Sequence, residues 1–433
     1  MSLAGSARLV AAVAAVLVAG GAGAAETLQQ AWGMALDRDR GFAAARSQTE
    51  AAHLEAEAAR AQRWPVLALG GSYTWLDDSP AFDFSFTGLP LTPPPLFPGD
   101  EFLMGSASLT LPVFTSGRIS GGIAAAEAQS RGADARLAGA QQDLKLSVAE
   151  SYVGVLRTGR ALAVAESNVT SLEALASDVE SMFERELVPK NELLAVQVAL
   201  ADARQNRLRT ANAAELALAD YNRRLGQPLD RPVELAEVLP EPEPLPADLD
   251  SLVAMAVERR SEIDALAEQG EALGQLARTE RSRVLPQVGL TGSYSYLENG
   301  FLDDEDVLYA GVGVQWAVFD GGQSRKRAAA LERSRRAVQQ QRLDLESLVG
   351  LQVRQAWLEV EETRQRVVVS ANAAEQAEEN LRIARERYGA GLGTQTQLLE
   401  AETLRVRALT NRHNAMLDAG LAKLKLARAV GAL

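Results

Sequence analysis

Short segments of the chain alternate between apolar and small polar residues, a pattern typical of β-strands. The alternation runs through residues 67–75, 287–296 and 311–318. Each segment has about the ten residues that span a bilayer as a tilted strand. A soluble sandwich would alternate too, but aromatic ends and a small polar face favour a barrel wall between lipid and water. In the first segment, the face that ends in aromatic residues carries Leu67, Leu69, Gly71, Tyr73 and Trp75.

Two longer segments place apolar residues at the 3.5-residue spacing of a supercoiled helix. The first predicted helix runs from about Ser120 to Arg185 without a proline, roughly 100 Å at 1.5 Å per residue. The same register continues in a second helix that ends at Tyr388. Tight turns are predicted at Glu186–Pro189 and Gly389–Gly393, each leading into an antiparallel partner helix. The first seam consists of Leu144, Val148, Ser151, Val155, Thr158, Leu162, Ala165, Val169, Leu172, Ala176, Val179 and Phe183.

The sequence is an internal duplication. Trp64–Trp75 aligns with Leu285–Tyr296 at an offset of 221 residues, and Pro112–Gly117 aligns with Ala317–Gly322 at an offset of 205. The second offset then holds over the whole long helix and its partner. The difference between the offsets places an insertion in the first copy, within the Pro- and Gly-rich segment Asp77–Glu101, which we interpret as an elongated loop. Each repeat is therefore predicted to contain a short helix, two strands, a very long helix and a returning helix.

Residues 1–25 have the features of a secretory signal peptide, because a single arginine precedes an apolar run. The small residues of a cleavage site follow at Ala22–Ala24. We expect the first repeat at residues 26–226 and the second at residues 249–433. Between them, residues 227–248 are rich in proline and cannot form a helix interior. This connection is either a plain linker or a segment packed against the outside of the helices.

Composition excludes several kinds of site and partner. The chain contains no cysteine, so disulfides, thiolate metal sites and an N-terminal lipid anchor are not expected. Its two histidines, His53 and His413, are far apart in sequence and do not predict a metal site, and no cofactor is expected. The formal net charge of −13 argues against nucleic acid as a partner.

No catalytic motif is present either. The sequence contains no G-x-S-x-G, no G-x-x-x-x-G-K-[ST] and no H-E-x-x-H. The G-x-G at Gly311–Gly313 lies inside a predicted strand, where glycines allow close packing. The sequence therefore favours a protein that is not an enzyme.

The order of these features resembles the TolC-like outer-membrane efflux protein family over essentially the whole mature chain. The resemblance includes Leu285–Pro286 at the start of a strand and Phe319–Gly322, which reads Phe-Asp-Gly-Gly, after one. It implies a mainly α fold with transmembrane β-structure, in which a homotrimer forms a twelve-stranded β-barrel continued by a long periplasmic α-helical barrel. Each chain would contribute four strands, too few to close a barrel alone. The protein is thus expected in the outer membrane, in contact with its lipid, with the loop at Asp77–Glu101 outside the cell.

The resemblance also implies a gate at the periplasmic tip. The tyrosine at the end of the second long helix corresponds to Tyr388, and its acidic partner to Glu192. Two acidic positions of the returning helix correspond to Gln397 and Glu400, and only the second is acidic here. An arginine that helps to close the gate in relatives is replaced by Gly393. Without the resemblance, the residues favour an ordinary solvated helix charge at Glu400, and the seam position of Tyr388 is also consistent with a plain packing residue.

Two functions fit the sequence. The first is the channel-tunnel of a tripartite efflux or type I secretion system, a passive exit duct for substrates delivered by an inner-membrane pump and a periplasmic adaptor. The second is a periplasmic coiled-coil structural or adaptor protein. The paired strands with aromatic ends favour the channel, because an adaptor has no need of a lipid-facing surface.

Overall fold

The computed structural model describes residues 25–78, 97, 99–299 and 303–433. The predicted signal peptide and most of the loop at Asp77–Glu101 lie outside the described residues. Helix accounts for 70% of the described residues. The elements, in order, are α1 (Leu28–Arg38), α2 (Arg40–Ala61), β1 (Val66–Trp75), β2 (Glu101–Phe114), α3 (Arg118–Glu184), α4 (Lys190–Arg224), α5 (Leu249–Arg259), α6 (Ser261–Ser282), β3 (Gln287–Leu297), β4 (Asp306–Gln315), α7 (Gln323–Gly389) and α8 (Gln395–Ala429).

The predicted duplication is confirmed, because every helix of the first repeat recurs in the second. The bounds of α5 and α6 are those of α1 and α2 plus 221 residues, and the bounds of α7 and α8 are those of α3 and α4 plus 205. One expectation was wrong: two helices, rather than one, precede each strand pair. The break between α1 and α2 falls at Asp39, whose carboxylate accepts a hydrogen bond from the backbone N–H of Phe42 at 2.8 Å. An aspartate cap of this kind favours starting a new helix there.

Side-chain contacts are duplicated as well. Arg60 of α2 is ion-paired with Glu127 of α3 at 2.8 Å. The equivalent residues in the second repeat, Arg281 and Glu332, are ion-paired at 3.2 Å. The two repeats therefore pack their first long helix against the preceding helix in the same way, which lets contacts in one repeat be mapped onto the other.

The four long helices end in the same hydrogen-bonded turn. At the end of α3, Leu187 N–H bonds to Met182 C=O and Glu186 N–H bonds to Phe183 C=O, both at 2.9 Å. This is a Schellman motif, which requires a left-handed residue. Glycine supplies it at the ends of the other three helices (Gly226, Gly391 and Gly431), whereas α3 uses Glu186 with φ of 60°.

The four strands form one antiparallel sheet in the order β1-β2-β3-β4. The central pairing places Ser106 opposite Ser295, with a register shift between Pro112 and Phe114. Along β4 every residue is exposed, and along β1 all but Thr74 are exposed. The sheet is therefore open at β1 and at β4, and both edge strands carry apolar side chains.

The chain divides into two compact units. Unit 1 contains the described residues up to Ala35, together with Val148–Pro240 and Ser370–Leu417, and unit 2 contains the remainder. Unit 2 includes the sheet and an apolar core formed by α5, α6, α7 and the end of α8. The largest fully buried side chains of that core are Leu252, Val349 and Val353.

In unit 1, the Pro-rich connection is held against helices rather than left as a plain linker. The Tyr152 hydroxyl donates to the backbone oxygens of Ala236, at 2.6 Å, and Glu26, at 2.8 Å. The buried Asn222 side chain donates to the backbone oxygens of Leu229 and Arg231. Burial raises the pKa of Tyr152 to about 12, so its hydroxyl remains a donor at neutral pH.

Candidate functional site

The residues implied for a gate all lie in unit 1, around the turns that join α3 to α4 and α7 to α8. Tyr388 is at the end of α7, and Glu192 is in the first turn of α4. The Tyr388 hydroxyl is 3.4 Å from Glu192 Oε2, the outer limit for a hydrogen bond. Burial, together with the Glu192 charge, raises the pKa of Tyr388, which keeps the hydroxyl protonated and able to donate.

Glu192 accepts a second hydrogen bond, which was not predicted from the sequence. Gln395, at the start of α8, is buried, and its Nε2 donates to the backbone oxygen of Glu192 at 2.7 Å. Residues of α7 and α8 therefore both contact the first turn of α4 through Glu192. No sequence signal identifies this contact, because it depends on which helices are neighbours.

Gln397 has a local structural role. Its side chain accepts a hydrogen bond from Thr394 N–H at 3.2 Å, and Thr394 Oγ1 accepts one from Gln397 N–H at 3.3 Å. This reciprocal pair is a capping box, which satisfies two backbone N–H groups at the start of α8. The T-x-x-Q spacing could have been recognised in the sequence.

Glu400 lies one turn further along α8, with an exposed side chain. It makes no hydrogen bond or ion pair within the described residues. Gly393 precedes this helix in a crowded position. A Cβ atom there would lie 3.2 Å from both Arg387 Cβ and Tyr388 N. An arginine at Gly393 would therefore require the turn to move.

A charged cluster lies next to these residues. Glu402 of α8 is buried, with a side chain only 5% exposed, and it is ion-paired with Arg385 of α7 and Arg405 of α8. Arg385 Nη2 also donates to Ser171 Oγ of α3 at 3.0 Å. Arg385 and Glu402 line a cavity of about 600 Å³ together with Tyr388 and part of α3. The cluster thus joins three helices at this end of unit 1.

The sheet of unit 2 presents a second candidate surface, made of exposed aromatic and aliphatic side chains. Trp64 and Trp316 lie at the helix-proximal end of the strands, and both are more than half exposed. Tyr73 and Trp75 lie at the other end of β1 and are also exposed. Aliphatic side chains such as Leu69 and Val312 lie between them. Two aromatic ends around an aliphatic band match the interfaces and core of a bilayer.

Comparison with known proteins identifies the family. The sequence profile of the outer membrane efflux protein family matches residues 31–227 and 252–432. The chain belongs to this family. Its members are channel proteins, so the chain is not an enzyme, and the expected outer-membrane location with a periplasmic helical tunnel is confirmed. A comparison with curated proteins found no match.

Solved outer-membrane channels share the fold. VceC from Vibrio cholerae superposes with a TM-score of 0.79 at 19% identity, covering 94% of this chain and 96% of that protein. CmeC from Campylobacter jejuni gives 0.81 at 13% identity, covering 94% and 85%. MtrE from Neisseria gonorrhoeae, solved in an open state, gives 0.75 at 19% identity, covering 93% and 88%. At these identities the comparison establishes the fold of this efflux protein.

Two further features concern the described part of the chain. Its helices include none that is both long and apolar enough to cross a membrane. Its acidic and histidine side chains nowhere form a group of three or more placed to hold a metal ion.

Proposed function

We propose that this efflux protein is a homotrimeric channel-tunnel that serves as the passive exit duct of a tripartite efflux or type I secretion system. A periplasmic adaptor and an inner-membrane pump deliver its substrates, and the pump supplies the energy. The observation that carries the proposal is the four-stranded sheet with two open, apolar edges. In lipid, unpaired backbone groups along β1 and β4 would be strongly unfavourable, and pairing with further copies removes both edges.

The proposed gate lies at the helix turns of unit 1. Tyr388 and Gln395 hold α7 and α8 to α4 through Glu192, and Gln397 fixes the start of α8. In a trimer, three copies of Glu400 meet near the axis. Three like charges in a narrow passage attract cations and repel anions, so the gate favours cations and is blocked by multivalent ones.

The oligomeric state is tested by measuring the size of the purified protein in mild detergent. A trimer is expected, and a folded monomer would refute the proposal. The gate is tested separately through ion selectivity in planar bilayers. Glu400→Gln should weaken the preference for cations, whereas Glu180→Gln, which removes an exposed charge from α3, should leave it unchanged. Equal selectivity of wild type and Glu400→Gln would make Glu400 an ordinary surface charge.

A further inference from the structure

One interface between the two repeats is formed inside the chain, where α3 packs on α6 and β2 pairs with β3. Its helical part, in unit 2, is held by the ion pair of Arg131 with Glu268 at 2.7 Å. Glycines of α3 allow a close approach. A Cβ atom on Gly121 would lie 2.5 Å from Thr279 Oγ1, and one on Gly139 would lie 3.0 Å from Ser261 Oγ. This interface joins β2 and α3 of the first repeat to β3 and α6 of the second.

The reciprocal interface would join β4 and α7 of the second repeat to β1 and α2 of the first, and it is not formed within the described residues. On α3 the three glycines that face α6 (Gly121, Gly132 and Gly139) are buried, as are Ala125 and Ala128 between them. The equivalent positions of α7 are exposed: Lys326, Ala330, Arg333, Ala337 and Asp344. The equivalents of Ser261, Ala265 and Ala272 on α2 are exposed in the same way: Arg40, Ala44 and Ala51. Within the described residues, these faces of α7 and α2 therefore pack against no other helix, just as the outer edges of β4 and β1 pair with no other strand.

We infer that, in the proposed trimer, α7 of one copy packs against α2 of the next in the register of the internal interface, so that Asp344 forms an ion pair with Arg40 of the partner subunit. The inference rests on the proposed trimer and adds its residue contacts. The residue contacts follow from the internal interface. Adding 205 to the residue numbers of β2 and α3 and subtracting 221 from those of β3 and α6 gives the register of β4 on β1 and of α7 on α2. Gly311 lies opposite Thr74 of the partner subunit, as Ser106 lies opposite Ser295. Asp344 lies against Arg40 of the partner subunit, as Gly139 lies against Ser261.

The opposite charges of Asp344 and Arg40 support this assignment. Both side chains are exposed, and neither makes a hydrogen bond or an ion pair in the part of the chain that the structure describes. The surrounding surfaces are complementary too. The first fourteen residues of α7 include six basic side chains, among them Lys326 and Arg333, whereas the stretch of α2 from Glu50 to Glu57 contains three glutamates and no lysine or arginine.

The two interfaces must also differ in spacing. Gly121, Gly132 and Gly139 let α3 approach α6 closely, but their equivalents in α7 are Lys326, Ala337 and Asp344. The larger side chains keep α7 further from the neighbouring α2 and replace glycine contacts with charged ones. Around the proposed trimer, a tight, glycine-lined interface inside each chain therefore alternates with a wider, ion-paired interface between neighbouring chains.

Cysteine crosslinking tests the register, because the chain contains no native cysteine. In the double variant Arg40→Cys with Asp344→Cys, a short bismaleimide should link protein copies covalently in outer-membrane preparations. The matched control is Ala51→Cys with Asp344→Cys, which moves one cysteine about 16 Å along the exposed face of α2. It should crosslink at least tenfold less. A trimer of normal size without the Arg40–Asp344 crosslink overturns this interface but leaves the trimer intact, whereas a monomer refutes both.

Charge reversal tests the ion pair itself. Arg40→Asp and Asp344→Arg should each lower the temperature at which the purified trimer dissociates in detergent. Combining them restores the opposite charges, so the double variant should recover most of the loss. If the double variant loses as much as the two single variants added together, the residues do not interact and the ion pair is wrong.

Discussion

The Arg385 guanidinium at the end of α7 is ion-paired with the buried Glu402 carboxylate of α8. Arg405 binds the other carboxylate oxygen at 3.2 Å, and Arg385 also bonds to Ser171 of α3. A buried carboxylate between two arginines is stable only while its partners remain, because removing one member leaves an uncompensated charge. This cluster therefore fixes the position of three helices beside the proposed gate.

Replacing Glu402 should destabilise this end of the protein. Glu402→Ala leaves Arg405, which is largely buried, without its carboxylate, and we expect a loss of about 3 kcal/mol. The thermal unfolding midpoint of the helical signal reports the change. Glu379→Ala is the matched control, since Glu379 pairs with Arg382 on the surface of α7. That exposed pair should contribute less than about 1 kcal/mol. Similar losses in both variants would contradict the structural role of Glu402.

The turns after α3 and α7 allow opposite substitutions at two equivalent positions, which test the cost of a left-handed backbone. Glu186 adopts a left-handed conformation with φ of 60°, where its repeat equivalent is Gly391 with φ of 72°. Left-handed backbone costs a non-glycine residue about 1 kcal/mol or more. Glu186→Gly should therefore raise the unfolding midpoint and Gly391→Ala should lower it. Changes of the same sign in both variants would show that backbone strain does not control these turns.

The stability of unit 2 should fall in acid because of Glu262. Burial alone would raise the pKa of this carboxyl, but hydrogen bonds from Arg428, its own backbone and Arg260 lower it to about 2. Since the folded pKa lies below the unfolded value, the stabilisation is present above about pH 4.5 and is lost as the pH falls toward 2. It amounts to at most about 3 kcal/mol.

Thermal unfolding at a series of pH values tests this, with Glu262→Gln as the comparison. The variant should have a lower midpoint than wild type at pH 7, and the difference should shrink as the pH is lowered. A constant difference between pH 7 and pH 3 would exclude Glu262 as a source of the acid sensitivity.

Tyr388→Phe should increase conductance if the gate is closed through Glu192. The substitution keeps the ring and removes only the hydroxyl, so each protomer loses one hydrogen bond worth about 0.5–1.5 kcal/mol. Three equivalent losses shift the balance toward the open form. Gln395→Ala, which removes the neighbouring bond to Glu192, should act in the same direction. Unchanged conductance in both variants would remove Glu192 from the gate.

The sequence predicted the architecture well because each main element occurs in both repeats, so that aligning the repeats identifies it. The alignment of Trp64–Trp75 with Leu285–Tyr296 located the strands, and the seam ending at Phe183 located the long helix. Some local features could also have been predicted from short sequence motifs but were not. The break at Asp39 and the capping box at Thr394 and Gln397 were missed although their motifs are visible in the sequence.

The candidate site was only partly predictable. Tyr388 and Glu192 were identified from the resemblance, and the structure places them near one another. Gln395, Arg385 and Glu402 were not identified, because their roles arise only when α3, α4, α7 and α8 pack together. A charged residue on a long helix looks the same in sequence whether it is buried or solvated, so burial of Glu402 had to come from the structure.

Conductance of the purified protein in a planar bilayer tests the central claim most directly. An exit duct should produce discrete current steps without nucleotide or any partner protein, and opening should become more frequent in Tyr388→Phe. The same preparation should contain trimers of the expected size. A correctly folded trimer that gives no current steps, either as wild type or as Tyr388→Phe, would contradict the account.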